Sequence, residues 1–260
     1  MHQTSHGISH RGTVREINED ACLELTHLGV WVVADGMGGH AAGDVASQLV
    51  IDVIQESLSH CTPEQVSQAL LVSALEESNR RLRQMSEQQF AGKIAGSTVV
   101  ILWIHQHQYH LMWAGDSRGY LFRGNELKQI TKDHSQVNDM VDEGVLLPEE
   151  AEQHPLANVI TRAVGVDDYL LVDIKQGTLV NNDIFLLCTD GLNKELTDNE
   201  IANAIQPGNI IDSGMALIHS SLVRHAKDNV TCILVKTHYG ISNNQSRDVD
   251  EGDKTIPVFV

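Results

Sequence analysis

Short apolar runs that are typical of buried strands occur along the chain together with longer stretches of helical spacing. The strand-like runs cover residues 30–34, 97–104, 109–115, 119–123, 183–189 and 229–235. They follow one another as hairpin candidates and do not alternate regularly with helices, which favours antiparallel sheets over a doubly wound parallel sheet. The pattern therefore predicts an α+β protein in which helices cover the outside of stacked sheets.

Two stretches show the helical spacing most clearly. One apolar face contains Val45, Leu49 and Val53, and the other contains Ile211, Met215, Ile218, Leu222 and Ala226. Residues three and four apart lie on one side of a helix. We therefore expect both faces to pack on the sheets.

The chain is 260 residues long, enough for one large domain with a sizeable core. Its N-terminal stretch is polar, and no apolar run approaches the roughly 18 residues that a membrane-spanning helix needs. Residues 241–260 lose hydrophobic periodicity and predict a polar tail outside a folded part of residues 1–240. We expect a soluble, unexported, cytoplasmic protein.

Charge and potential metal ligands narrow the function classes. The chain has 18 Lys and Arg against 35 Asp and Glu, a formal net charge of -17, which argues against nucleic-acid binding. The four cysteines show no CxxC spacing, as expected of reduced and mostly buried residues. His105, His107 and His110 lie between two strand-like runs, so we expect an exposed hairpin turn there and not a metal site.

Aspartates stand at the ends of four strand-like runs. Asp35, Asp116 and Asp190 each come directly after a run, and Asp228 stands just before the last one. In an antiparallel pair the end of one strand lies beside the start of the other, so one edge could gather these acids. Unrelated turn aspartates are the alternative, because Asp-Gly after a strand is often only a tight turn.

The first hairpin permits a sharper expectation. Pairing of the runs on either side of the four-residue loop 26–29 places Asp20 opposite Asp35, with Glu19 beside them. Facing carboxylates repel unless a cation neutralises them, and oxygen ligands with room for water suit Mg²⁺ or Mn²⁺ better than zinc. Asp35 is therefore predicted to hold metal, and the glycine-rich stretch after it would let the Gly36 carbonyl join.

Arg15 lies shortly before Asp20, and its sequence context is compatible with two roles. The guanidinium could bind phosphate in an otherwise acidic pocket, or it could form a plain ion pair with Glu19 or Asp20. The stretch Gly-Ser-Thr at residues 96–98 reads as a turn, and no catalytic role is expected for it.

Seven motifs occur in order over nearly the whole chain: VREINED, VVADGMGGHAAGDVAS, GST, AGDSRGYLFR, ITKDHS, CTDGLNKEL and KDNVTCILV. In this order and at these separations they resemble the metal-dependent protein phosphatases, also called type 2C serine/threonine phosphatases, in their compact bacterial branch. The resemblance implies an α-β-β-α sandwich, with two stacked and mainly antiparallel sheets flanked by helices. It assigns residues 1–240 to the phosphatase domain.

The resemblance also implies roles for the acids. Asp35 would bridge two metal ions, and the Gly36 carbonyl would bind the first of them. Asp190 and Asp228 would bind the second ion, and Asp20 would contribute directly or through water.

Three further roles follow from the resemblance. Glu19 would support the metal ligands from outside, and Arg15 would bind the substrate phosphate. Asp116 would hold a third ion together with Asp190.

One departure from the family pattern concerns the leaving-group acid. Eukaryotic members carry a histidine where this chain has Met37, so that acid is unassigned, with the nearby His40 and a metal-bound water as candidates. Residues 144–165 correspond to the variable flap beside the active site, where substrate choice is expected to reside.

The implied activity is hydrolysis of phosphoserine and phosphothreonine in proteins by a hydroxide that bridges two Mn²⁺ or Mg²⁺ ions. The expected partners are phosphorylated Ser/Thr proteins, with a cognate Ser/Thr kinase and its substrates among them. We expect a monomer without nucleic-acid or membrane partners. The main alternative is a catalytically weak phosphoprotein-binding module of the same fold, and a metal-dependent nuclease or phosphodiesterase is disfavoured by the negative charge.

Overall fold

A computed structural model describes residues 2–38, 42–89, 94–151, 154–206 and 208–238 of the chain. Its strands are β1 (His2–His10), β2 (Asp20–Leu25), β3 (Val30–Gly38), β4 (Ala95–Ser97), β5 (Val99–His105), β6 (Gln108–Ala114), β7 (Arg118–Arg123), β8 (Glu126–Gln129), β9 (Asp173–Thr178), β10 (Ile184–Cys188) and β11 (Val230–His238). Its helices are α1 (Gly43–Leu58), α2 (Gln68–Gln89), α3 (Gln136–Asp142), α4 (Pro148–Ala151), α5 (Asp190–Asn193), α6 (Asp198–Ala204) and α7 (Ile210–Val223), with a 3-10 turn at Thr26–Leu28. The predicted tail, residues 241–260, lies outside the described residues.

The strands form two sheets. The first sheet has the strand order β2-β3-β5-β6-β9 with β4 paired to β3, and the second has the order β1-β11-β10-β7-β8. The pairs within each sheet are antiparallel. The predicted preference for antiparallel sheets is confirmed.

Alternation along β3 shows how the first sheet is buried on both faces. Val30, Val32 and Ala34 belong to the core that includes residues of α1 and α2, whereas Trp31 and Val33 belong to a core shared with the other sheet. Because neither face meets solvent, the strand reads as a continuous apolar run in the sequence.

The second sheet repeats this arrangement in β10. Phe185 and Leu187 enter the shared core between the sheets, and Ile184, Leu186 and Cys188 pack with residues of α6 and α7. The order of layers is therefore helix, sheet, sheet, helix, as the sequence predicts.

The predicted helix faces are partly wrong. Val45 is 41% exposed, and Ile211 and Met215 are 54% and 40% exposed. The buried residues include Ala46, Val50, Ile51, Val53, Ile54 and Leu58 in α1, and Ile210, Ser213, Gly214, Leu217, Ile218 and Ser221 in α7. In α1 the predicted row is displaced by one residue from the buried row of Ala46, Val50, Ile54 and Leu58. In α7 the buried face includes Ser213, Gly214 and Ser221, which a pattern built only on large apolar residues overlooks.

The strand β1 is absent from the sequence-based prediction. Its polar residues pair with β11 from His2 opposite His238 to His10 opposite Val230, at the edge of the sheet. An edge strand that is half exposed does not need the apolar alternation by which strands are recognised.

The β5–β6 hairpin has its turn in the histidine-rich stretch, as expected, but His110 is a buried residue of β6 and not part of an exposed turn. The strands pair from Val99 opposite Ala114 to His105 opposite Gln108, so the chain turns at residues 106–107.

A bilayer sets requirements on both the length and the composition of a helix that crosses it. None of the helices of the described ranges combines the length and the apolar composition of a membrane-spanning segment.

Candidate metal centre

The pairing of β2 with β3 brings the first two acids together. Asp20 lies opposite Asp35 across the antiparallel ladder, in the register that the sequence predicts. The sequence predicts that this strand ends at Ala34. In the structure it continues to Gly38, because its last residues pair with β4. Asp35 is therefore held inside a strand, with a fixed backbone on both sides.

The stretch Gly-Ser-Thr, for which no catalytic role was expected, fixes the backbone of Asp35. The Thr98 amide donates to the Asp35 carbonyl at 2.8 Å, and the Ser97 hydroxyl donates to the same carbonyl at 3.1 Å. The Asp35 amide donates to Thr98 Oγ1 at 3.1 Å, and that oxygen lies 2.7 Å from Ser117 Oγ. Ser97 and Thr98 are thus positioning residues for Asp35.

Gly36 lies where the start of α1 meets the strand. Its amide donates to the Glu19 carbonyl at 2.9 Å. A Cβ atom at Gly36 would lie 1.8 Å from the Gly43 carbonyl oxygen, so no other residue fits without movement of α1. The Gly-rich sequence therefore serves a close approach of backbones beside Asp35.

Asp190 and Asp228 meet at the edge where β10 ends and β11 begins. Cys188 pairs with Cys232, which places the end of one strand beside the start of the other. A Cβ atom at Gly191 would lie 2.0 Å from the Asn229 carbonyl oxygen, so this glycine permits the two segments to touch. The sequence predicts this juxtaposition from antiparallel pairing alone.

The carboxylates interact with one another. Burial raises the pKa of Asp35 well above its ordinary value, and the charges of Asp20, Asp190, Asp116 and Asp228 raise it further. Burial also raises the pKa of Asp20 to about 7, with Asp190 and Asp228 adding to the effect. The pKa of Asp116 rises to about 7 as well, by burial first and then by Asp190. All five aspartates therefore share one acidic site.

Two threonines that sequence reasoning missed hold Asp20. The hydroxyls of Thr189 and Thr231 donate to Asp20 Oδ2 at 2.8 and 2.7 Å. Both hydroxyls lower the pKa of Asp20 against the larger effect of burial. They stand in the CTD and NVT segments next to predicted acids, but only the tertiary structure turns them onto Asp20.

Arg15 lies at the rim of the site. Its Nη2 is 2.9 Å from Asp228 Oδ1 and its Nη1 is 3.3 Å from Glu19 Oε2, and 46% of its side-chain surface is exposed. These contacts match the ion-pair role for Glu19, while Asp228 replaces Asp20 as the other partner. The exposed part of the side chain leaves room for a ligand.

Lys194 is a further residue that sequence reasoning missed. Its Nζ forms an ion pair with Asp190 Oδ2. The other oxygen, Asp190 Oδ1, and also Asp116 Oδ1 are buried and have no hydrogen-bond partner among the described residues. Asp190 therefore keeps one carboxylate oxygen for a divalent cation, while Lys194 occupies the other.

The donor set fits a hard divalent cation. The potential ligands are oxygen atoms, which Mg²⁺ and Mn²⁺ prefer. Within the described part of the chain, several carboxyl pKa values are raised and two buried carboxylate oxygens accept no hydrogen bond, and a bound divalent ion would relieve both conditions. Among the residues that the structure describes, no group of three or more His, Cys, Asp or Glu is already arranged to hold a metal ion. His40, the candidate leaving-group acid, lies outside the described residues.

Comparison with known proteins adds a family and relatives. The family described as Protein phosphatase 2C matches residues 6–227. Serine/threonine protein phosphatase PstP of Mycobacterium tuberculosis (strain CDC 1551 / Oshkosh) is 37% identical over 230 residues, which are 87% of this chain but 43% of PstP. The chain thus spans less than half the length of that relative.

A second relative has nearly the same length as the matched region. Serine/threonine phosphatase stp of Listeria monocytogenes serotype 4b (strain F2365) is 32% identical over 234 residues, which cover 87% of this chain and 92% of stp. The catalytic domain of serine/threonine protein phosphatase PstP, solved with 2 manganese ions, superposes with a TM-score of 0.79 at 33% identity. That match covers 91% of this chain and 99% of the PstP domain.

Proposed function

The chain belongs to the protein phosphatase 2C family, and from that premise we propose that it is a metal-dependent phosphatase for phosphoserine and phosphothreonine in proteins. The observation that carries the proposal is the meeting of Asp35 with four other aspartates at one edge of the stacked sheets. Mutual repulsion of these buried carboxylates destabilises the protein when no cation is bound, and binding of divalent ions removes that repulsion.

The proposed metal ligands are those that the family resemblance implies, and the meeting of the aspartates around Asp35 supports them. Asp35, the Gly36 carbonyl, Asp190 and Asp228 would hold two Mn²⁺ or Mg²⁺ ions. Asp20 would contribute directly or through water. When bound, the ions supply positive charge for the substrate phosphate and lower the pKa of water, so that hydroxide is available near neutral pH.

The chain's own residues orient the reactants around this centre. Arg15 exchanges part of its contact with Asp228 for the substrate phosphate, to which a guanidinium can donate two parallel hydrogen bonds. Glu19 keeps the guanidinium at the rim through the remaining contact. Thr189 and Thr231 keep the carboxylate of Asp20 directed into the site.

The flap, residues 144–165, is proposed to select the substrate protein. Its far end is tied to the site, because the Ser97 and Val164 amides each donate to the other's carbonyl at 2.9 and 2.8 Å. Ser97 also holds the Asp35 carbonyl. The exposed side chains of Val145 and Leu147 are available to a protein substrate. Phosphorylated Ser/Thr proteins, including a cognate Ser/Thr kinase and its substrates, are the proposed partners.

A comparison of substrates tests the proposed activity. The purified chain with Mn²⁺ should release phosphate from a phosphothreonine peptide, far more slowly from a phosphotyrosine peptide, and not at all from a phosphodiester. Tight binding of the phosphothreonine peptide without turnover would support the phosphoprotein-binding module instead. Cleavage of the phosphodiester alone would point to a nuclease or phosphodiesterase.

A further inference from the structure

A lysine occupies the acidic site one helical turn after Asp190. Lys194 follows directly on α5, and its amide donates to the Asp190 carbonyl at 2.9 Å. This turn brings the ammonium group back onto Asp190 Oδ2 as an ion pair. The lysine is therefore placed by the same short helix that presents the proposed metal ligand.

The ammonium group also acts on Asp116. The ammonium group of Lys194 interacts electrostatically with Asp116 and Asp228 as well as with Asp190. The Lys194 side chain is itself mostly covered, with 38% of its surface exposed, so the ammonium group lies within the site and not in open solvent. Lys194 thus lies within electrostatic reach of both Asp116 and Asp190, the pair to which the family resemblance assigns a third metal ion.

We propose that the ammonium group of Lys194 takes the place of that third ion, so that this chain binds two divalent ions and excludes another from Asp116 and Asp190. The inference rests on the proposed function, because it presupposes the two ions at Asp35. The acidic site then has three positions for positive charge, of which two are filled by divalent ions and one by the ammonium group of Lys194.

Charge balance supports two ions and one ammonium group. The site contains the carboxylates of Asp20, Asp35, Asp116, Asp190 and Asp228. The charges of Glu19 and Arg15 at the rim offset each other. Two divalent ions carry four positive charges and Lys194 carries the fifth, so the five aspartates are neutralised. A third divalent ion would leave the site with excess positive charge and would be repelled by the ammonium group at close range. It would also have to break the ion pair with Asp190.

The test is the number of Mn²⁺ ions that the full chain binds. Anomalous scattering from crystals soaked in MnCl₂ locates the ions, and calorimetric titration measures their affinities. The variants are Lys194→Gln and Lys194→Asp, which remove the ammonium group, and Lys194→Arg, which retains a positive charge. Lys132→Gln is the matched control, because it removes another lysine–aspartate ion pair, the exposed one with Asp142.

We expect two Mn²⁺ ions in the wild type, in Lys194→Arg and in Lys132→Gln. A third ion in contact with Asp116 should appear in Lys194→Gln and Lys194→Asp, bound about a hundredfold or more tightly than any such ion in the wild type. Adding Asp116→Ala to Lys194→Gln should remove that ion again and leave the other two.

Two results would overturn this inference while leaving the proposed function intact. One is a third ion at Asp116 in the wild type, and the other is the absence of a third ion from every Lys194 variant that still binds two. Failure of the proposed function looks different, because no Mn²⁺ would then bind at Asp35 in the wild type or in any variant.

Discussion

Arg15 is the residue for which the two proposed roles forecast opposite results. Its Nη2 contacts Asp228 Oδ1 at 2.9 Å and its Nη1 contacts Glu19 Oε2 at 3.3 Å, both near solvent. Because exposed ion pairs contribute little to stability, Arg15→Ala should lower the free energy of unfolding by at most about 1 kcal/mol. The variant should therefore fold, and any large kinetic effect must come from the site.

The phosphate-binding role predicts a large kinetic effect. Loss of a charge-assisted hydrogen bond costs about 1.5 to 3 kcal/mol in the transition state, which corresponds to roughly a ten- to hundredfold fall in kcat/KM. Arg15→Lys should recover only part of the loss, because an ammonium group keeps the charge but lacks the paired donors.

The assay is kcat/KM for a phosphothreonine peptide at saturating Mn²⁺, with a Mn²⁺ titration and a thermal melt of each variant. Arg80→Ala is the control, because Arg80 is an exposed arginine on α2 that pairs with Glu77. If Arg15 only neutralises acids, its loss should leave kcat/KM unchanged and tighten Mn²⁺ binding. That combination would refute phosphate binding by Arg15.

Three further predictions concern other parts of the molecule. Gly36→Ala should lower both the melting temperature and the activity, because its Cβ would lie 1.8 Å from a backbone oxygen of α1. Gly208→Ala is the control and should change neither, because the space around Gly208 is open. Equal melting temperatures of the two variants would contradict this prediction. Burial raises the pKa of Asp116 from 3.8 to about 7, so in chelator the folded state holds this proton more tightly than the unfolded chain does. That stabilisation is complete below about pH 4 and is lost as the pH rises towards 7. Asp116→Asn should flatten this part of the melting-temperature profile, and a profile that matches the wild type would count against it. Replacing the exposed Val145 and Leu147 by serine should change kcat/KM on phosphoproteins but not on a small aryl phosphate, and equal losses on both substrates would show that the flap supports catalysis itself.

Local patterns were sufficient for the first part of the site. The short loop between β2 and β3 leaves few registers, and pairing of the two strands along their length places Asp20 opposite Asp35. The meeting of Asp190 with Asp228 likewise follows from the antiparallel pairing of two strong apolar runs. Both features depend on neighbouring strands and not on distant packing.

Features that depend on tertiary structure were not predictable in the same way. Thr189 and Thr231 look like ordinary strand residues until the sheets stack and bring Asp20 to them. Lys194 reads as a solvated charge on a short helix, and only the depth of the acidic site gives it a partner. The edge strand β1 has no apolar pattern, so its pairing with β11 had no signal in the sequence.

The central claim is that the aspartates around Asp35 hold the divalent ions with which the chain removes phosphate from phosphothreonine. The most direct measurement is phosphate release from a phosphothreonine peptide by the wild type and Asp35→Asn, with Mn²⁺ and with excess chelator. The account predicts turnover by the wild type with Mn²⁺ only, and almost none by Asp35→Asn, whose circular dichroism spectrum should remain that of the folded protein. Full turnover in chelator, or by Asp35→Asn, would contradict it.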